Sequence, residues 1–442
     1  MQKLQKGSKK LLNAWAFYDW ANSVYSLVIS SAIFPIFYGM LFSIYGSDYI
    51  VLLGISFKST ALISFITAFA FLTIGFLSPL LSGIADFMGN KKRFMQFFCW
   101  FGALSTIGLY WFSLENPFIS LFLYYGGLIG FWGSLVFYNS YLPDIAYANQ
   151  QDKVSAKGYS LGYIGSVILM IINLAMVMKP ELFGISEATP QLAAQKGMRI
   201  SFITVGIWWI LFAQYSFYYL PIFESKGKIS KNVIWSGIKE LKKVWNNLQH
   251  APVLKRYLIA FFVYSMAVQT VMLVATYFGE KEIAWENDEQ KTVGLIVSIL
   301  LIQIVAVVGA ILTARLSAKF GNIKTLIFIN IIWLCICLGA YWVILPIQFY
   351  ITAAFVGMVM GGIQSLSRST YSKFLPETTD TTSYFSFYDV TEKIGIVIGM
   401  LVYGAIDQIT GSMRNSITFL MVFFAVGIYL LLRVNKQNTH NN

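Results

Sequence analysis

Asp389, Glu392 and Lys393 are three charged residues within five positions, and they fall inside an apolar run from Tyr384 to Met400. A charged side chain at the centre of a bilayer costs about 2.5–3.5 kcal/mol on insertion scales, so such residues need partners and commonly serve a pathway. Asp389 and Lys393 are four apart and are expected to pair on one helix face, with Glu392 at its border. A neutral pair could simply lock neighbouring helices. Here one acid is left over. Glu392 has the weaker claim on the ammonium and is the expected proton carrier, so the triplet is a candidate for proton coupling.

A second set of polar residues recurs at helical spacing. Trp15, Tyr18, Asp19, Asn22, Tyr25 and Ser26 fall on one face of an N-terminal apolar run. Further along come Ser265, Gln269, Met272 and Thr276, then Gln364, Ser367 and Arg368. Trp132 and Asn139 stand one heptad apart, and Tyr159 and Tyr163 read as packing phenols. Asp19 is either a helix-start acid near the interface or a buried acid that holds a proton or a cation. Arg368 either reaches a cavity or snorkels to the interface. Together, Asp19 and Arg368, with the amides Asn22 and Gln364, would give a cavity with an acidic and a cationic end, suited to a zwitterion.

These residues must be positioned by membrane helices. Hydrophobic residues make up 57% of the 442 and charged ones 12%, against about 25% charged in typical soluble domains. Runs long enough to span recur near 13–43, 59–85, 94–113, 118–142, 155–178, 199–221, 255–278, 292–314, 324–345, 348–372, 383–406 and 414–432. The expected fold is therefore all-α, with twelve transmembrane helices. The first run follows Lys3, Lys6, Lys9 and Lys10 but is too long for a signal peptide and contains Asp19. The net charge of +12 is not a nucleic-acid signal, because alternate loops carry 24 and seven Lys and Arg. That bias predicts both termini in the cytoplasm. Cys99, Cys335 and Cys337 sit in spans as apolar fillers, and neither histidine, His250 nor His440, lies in one. No metal site, cofactor or catalytic centre is expected, and no Walker loop is visible.

The chain also repeats itself. Phe87-Met-Gly89-Asn90 matches Lys319-Phe-Gly321-Asn322, Leu142-Pro143-Asp144 matches Leu375-Pro376-Glu377, and Gly162 and Ser166 match Gly395 and Gly399, all at an offset of 232 or 233. This predicts two six-helix bundles in parallel orientation, 1–222 and 255–442, with a substrate site between them. Gly158, Gly162 and Ser166, and likewise Gly395 and Gly399, are spaced for close helix approach, and we expect these helices at the interface between bundles. The segment 223–254 is basic. Ile234, Ile238, Leu241, Trp245 and Leu248 form one stripe with Lys239, Lys242 and Lys243 away from it, as in an amphipathic cytoplasmic linker on an anionic leaflet.

Gly83-Ile-Ala-Asp86-Phe-Met-Gly89-Asn-Lys91-Lys92-Arg93 joins the second and third spans. Its glycines suit a tight turn, Asp86 suits a neighbouring helix end, and the basic run suits the leaflet. This segment resembles the loop signature of the major facilitator superfamily. The second copy, Ala314 to Lys324, has Ala318 in place of the acid, which argues against a matching gate there. Four further segments are similar to the vacuole-effluxer-like family of that superfamily: Trp15-Ala-Phe-Tyr-Asp-Trp-Ala-Asn22-Ser, Phe137-Tyr-Asn-Ser-Tyr-Leu-Pro143, Gly361-Gly-Ile-Gln-Ser-Leu-Ser-Arg368-Ser and Phe387-Tyr-Asp-Val-Thr-Glu-Lys-Ile-Gly395. The resemblance implies alternating access and a cavity between spans one, four, seven and ten, where Asp19, Asn22, Asn139, Gln269, Gln364 and Arg368 lie. It also suggests amino-acid export, with a small-molecule substrate, a proton or other cation, a lipid bilayer and no nucleic acid as partners, and a monomer as the working unit. A cation-coupled sugar symporter and a scaffold or sensor without flux are the alternatives.

Overall fold

The computed structural model describes residues 4–223 and 233–438. The basic residues 224–232 and the side chain of Ile234, both part of the linker expectation, lie outside the described residues. The chain runs α1 (Lys9–Val24), a π-helical stretch (Tyr25–Ile33), α2 (Phe34–Tyr45), a hairpin of β1 (Tyr49–Leu52) and β2 (Ile55–Lys58), α3 (Ser59–Met88), α4 (Lys91–Gly108), α5 (Pro117–Ser140), the single turn α6 (Leu142–Ile145), α7 (Ala148–Met178) and α8 (Pro190–Tyr219). The linker helix α9 (Val233–Gln249) leads into α10 (Pro252–Glu282), α11 (Asp288–Phe320), α12 (Asn322–Gly339), α13 (Pro346–Phe374), α14 (Thr381–Thr410), α15 (Met413–Phe419) and α16 (Met421–Asn438).

Eleven helical stretches among the described residues are long and apolar enough to cross a bilayer. α4 opens on Lys91, Lys92 and Arg93, which keeps it short of that measure. It nevertheless packs along α5 and α8 and completes the set of twelve. Twelve crossings return the chain to its starting face. Two hydrophobic cores form, one from residues 11–220 and the other chiefly from 244–434. They meet where α3 and α5 pack on α14 and where α7 packs on α11 and α13.

The helices that carry the glycine stripes, α7 and α14, lie at this seam, as their spacing predicts. A Cβ on Gly158 or Gly162 would meet α1, at Asp19 and Ser23, and one on Gly399 would meet Met266 of α10. Within that seam the glycines seat each helix mainly on a partner of its own bundle, α7 on α1 and α14 on α10, while a Cβ on Gly158 would also face Arg368 across the seam at 3.2 Å.

The loop signature also differs from expectation. Gly83 is inside α3, and only Gly89, at φ +65°, makes the turn. Lys91 does not reach toward the leaflet. It is buried, pairs with Asp144, and donates to Ser140 O and Thr381 Oγ1, each at 2.9 Å. Arg93 is the exposed member of the run.

Candidate functional site

The hydrogen bonds between the bundles cluster in the half of the molecule that carries both chain ends. At the rim, Asp86 of α3 accepts from the backbone of Thr382 and Ser383 at the start of α14, at 3.2 and 2.7 Å. A carboxylate at a helix N-terminus meets unpaired N–H groups and a favourable dipole. At the second junction the acid again comes from the first bundle. Asp152 of α7 supplies the acid, while Ser317, Asn322 and Lys373 of the other bundle donate to it at 3.1, 2.9 and 2.6 Å. The second copy of the loop thus forms a matching closure despite Ala318, because the acid comes from across the seam.

Deeper in, Arg368 of α13 crosses the seam. Its guanidinium donates to Asp19 of α1 at 3.4 Å, Asn139 of α5 at 3.1 Å, and the hydroxyl and carbonyl oxygens of Ser155 of α7 at 3.0 Å each. The ring of Tyr159 lies 4.2 Å from it and that of Trp15 4.8 Å. Asp19 also accepts from the Tyr138 hydroxyl at 2.8 Å. Arg368 and Asp19 are both fully buried, so Arg368 does not snorkel. Gly158 floors this cluster: a Cβ there would come within 2.5 Å of Asp19 and 3.2 Å of Arg368.

The charged triplet of α14 forms a second cluster. Lys393 donates to Asp389 at 2.9 Å and to Glu392 at 3.3 Å, and its ammonium lies 3.8 Å from the Trp132 ring centre. Glu392 accepts from Gln269 of α10 at 2.8 Å. Asp389 and Lys393 are buried, whereas Glu392 is partly exposed. Between the clusters, Tyr163 donates to Gln364 at 2.6 Å, and Tyr159 lies within electrostatic reach of Arg368, Asp19 and Glu392.

The structure thus brings together Trp15, Asp19, Asn139 and Arg368 in one cluster, and Gln269 with the triplet in another. Tyr18 belongs to neither. Its ring packs on Tyr138 and Phe217 in the interior of the first bundle. Asn22 is buried, and its amide oxygen accepts from the Ser23 hydroxyl at 3.4 Å. Tyr138 and Ser155 are the residues that spacing alone missed. Tyr138 stands within the quoted Phe137-to-Pro143 segment, but nothing in either helix marks the two as partners of Asp19 and Arg368.

Comparison with known proteins extends these observations. Residues 7–442 match the family model described as vacuole effluxer Atg22 like. The MFS-type transporter YxiO of Bacillus subtilis strain 168 is 29% identical, over 99% of this chain and 97% of that protein. Autophagy-related protein 22 of Eremothecium gossypii is 27% identical over 64% of this chain, which spans just over half of the fungal protein, 56% of its length. Among solved structures, the proton:xylose symporter XylE superposes with a TM-score of 0.69 at 12% identity, covering 96% of this chain and 95% of that one; at that identity it speaks to the fold alone. With its two bundles and its membrane-spanning helices, the chain is a multi-pass integral membrane protein of the major facilitator fold and belongs to the vacuole effluxer Atg22-like family of transporters.

Proposed function

We propose that this chain is a secondary active carrier for a small metabolite bearing both a carboxylate and an ammonium group, working in amino-acid efflux by proton-coupled alternating access. The observation that carries the proposal is Arg368. It is a buried cation on one bundle whose hydrogen-bond acceptors among the described residues, Asp19, Asn139 and Ser155, all belong to the other. Opening the chain-end face draws the guanidinium away from Asp19, Asn139 and Ser155. Leaving a buried charge without its partner costs about 3–5 kcal/mol. A substrate carboxylate that takes the place of Asp19 offsets this cost, and the substrate ammonium does the same for Asp19. Translocation is then cheap when the site is loaded and costly otherwise.

Partly exposed Trp132, Asn139, Tyr159, Gln269 and Gln364 line the route between the two charged clusters. Glu392 is the proton carrier in this reading. It is the more exposed acid of the triplet and the more loosely held by Lys393. The chain-end face is the cytoplasmic one, given the basic bias of its loops, and the membrane is the bacterial cytoplasmic membrane. A monomer contains every group invoked.

Binding of amino acids and sugars to purified protein, measured by calorimetry, tests the substrate class. A hydrogen bond to a charged group contributes about 1.5–3 kcal/mol, so Arg368→Ala is expected to weaken amino-acid binding by about 10- to 100-fold. Binding of a neutral sugar that Arg368→Ala leaves unchanged would overturn the zwitterion reading.

A further inference from the structure

The linker helix α9 carries two different faces. Val244 and Leu248 are fully buried against the second bundle, and the helix packs along α3 and α14. The opposite side is exposed and unlike an ordinary solvated face. Trp235, Ile238 and Trp245 stand 64%, 41% and 51% exposed. Lys239 and Lys242 are exposed among them. The stripe read from the sequence is therefore split: Leu248 turns to the protein, Ile238 turns away, and half-exposed Trp245 also touches the Phe387 ring of α14, at 5.7 Å between ring centres. Exposed tryptophans beside lysines are the composition that sits at a membrane–water interface. The exposed charges on this side of α9 are all positive, as is neighbouring Lys255. Each exposed lysine near an anionic leaflet gains about 1 kcal/mol.

The same helix reaches the seam. Lys243 donates to Asp380 at 3.0 Å, and Asp380 is the cap residue of α14. The next three residues of α14 make the cross-bundle bonds. Thr381 accepts from Lys91, Thr382 accepts from the Ser140 hydroxyl at 3.4 Å, and the backbone of Thr382 and Ser383 donates to Asp86. One ion pair thus separates the exposed aromatic–basic face from the closed rim.

We propose that α9 binds anionic lipid headgroups through Trp235, Trp245, Lys239 and Lys242, and that the Lys243–Asp380 pair passes this anchoring to the start of α14, so that an anionic leaflet favours the closed chain-end face. A helix held on the leaflet keeps Lys243 in place beside Asp380. On a neutral leaflet α9 is freer, and the pair, whose lysine is half exposed, holds α14 less firmly.

The test uses full-length protein in proteoliposomes of phosphatidylcholine alone or mixed with phosphatidylglycerol. Cys99, Cys335 and Cys337 are replaced by Ala, and Thr382→Cys reports opening by its rate of alkylation. Ser140→Cys, across the seam, is a second reporter. Phosphatidylglycerol is expected to slow alkylation several-fold. In Lys239→Gln/Lys242→Gln the lipid effect is expected to disappear. In Lys243→Gln the slowing is expected to disappear while bound phosphatidylglycerol is still retained on gel filtration. Equal rates in both lipids at both reporters, or a full lipid effect in Lys239→Gln/Lys242→Gln, would overturn the proposal. So would soluble polyglutamate reproducing the slowing in phosphatidylcholine, which would assign the face to an acidic protein.

Discussion

The carboxylate of Asp86 caps a helix of the opposite bundle, accepting from both the backbone N–H and the hydroxyl of Ser383 at 2.7 Å. The cap is present only while the bundles touch on this face. Losing an N-cap costs about 0.5–2 kcal/mol. Asp86→Ala is therefore expected to raise the open fraction of the chain-end face by roughly 2- to 30-fold, seen as faster alkylation of Thr382→Cys. An unchanged rate would mean that the junction at Asp152 holds the face closed by itself.

Gly158 and Gly395 belong to the glycine stripes of the two halves but differ in what surrounds them. A Cβ on Gly158 would collide with Asp19 at 2.5 Å, whereas one on Gly395 would meet the flexible Met266 side chain at 3.3 Å. Overpacking a dense interior costs about 1–3 kcal/mol. Gly158→Ala is expected to lower the melting temperature in detergent and to abolish transport, and Gly395→Ala to be close to wild type. Equal behaviour of the two would show that the Asp19–Arg368 cluster has room to adjust.

Asp19 and Arg368 are expected to be coupled in stability. Removing one partner of a buried pair costs about 3–5 kcal/mol, because the other charge is stranded. Asp19→Asn and Arg368→Gln should each destabilise strongly, and the double variant should lose clearly less than the sum. Additive losses in denaturant unfolding would mean that Tyr138, Asn139 and Ser155 carry the cluster without the ion pair.

Lys393→Ala is expected to reduce folded yield more than Glu392→Gln does. The ammonium holds both Asp389 and Glu392, and its loss strands two acids in the membrane. Folded yield is read from gel filtration of membranes solubilised under identical conditions. Greater loss in Glu392→Gln would place the structural role on Glu392.

Some of this arrangement was legible in the sequence, for physical reasons. The four-residue spacing of Asp389 and Lys393 fixes their pairing within one helix, and an acid beside a glycine turn marks Asp86. Contacts between distant segments carry no such spacing. Tyr138 meets Asp19 across 119 positions, and Lys373 meets Asp152 across 221. The stripe on α1 misled at Tyr18 because a phenol packs equally well in a bundle interior and beside a polar cluster. The glycine-bearing helices α7 and α14 do lie at the seam, but spacing shows only that helices approach closely and not which helix is approached, and the closest approaches are within each bundle. The exposed side of α9 also needed the packed structure to be told from its buried side, since both contain large apolar residues.

Transport in proteoliposomes under an imposed pH gradient tests most directly whether this chain is a proton-coupled zwitterion carrier working through Arg368 and Glu392. Wild type is expected to move a labelled amino acid against its gradient when protons flow the other way. Glu392→Gln is expected to exchange labelled for unlabelled amino acid but to accumulate none, and Arg368→Ala to do neither. Gradient-driven transport by Arg368→Ala at the wild-type rate would contradict the substrate site, and normal pH-driven accumulation by Glu392→Gln would contradict the coupling site and move the search to Asp19.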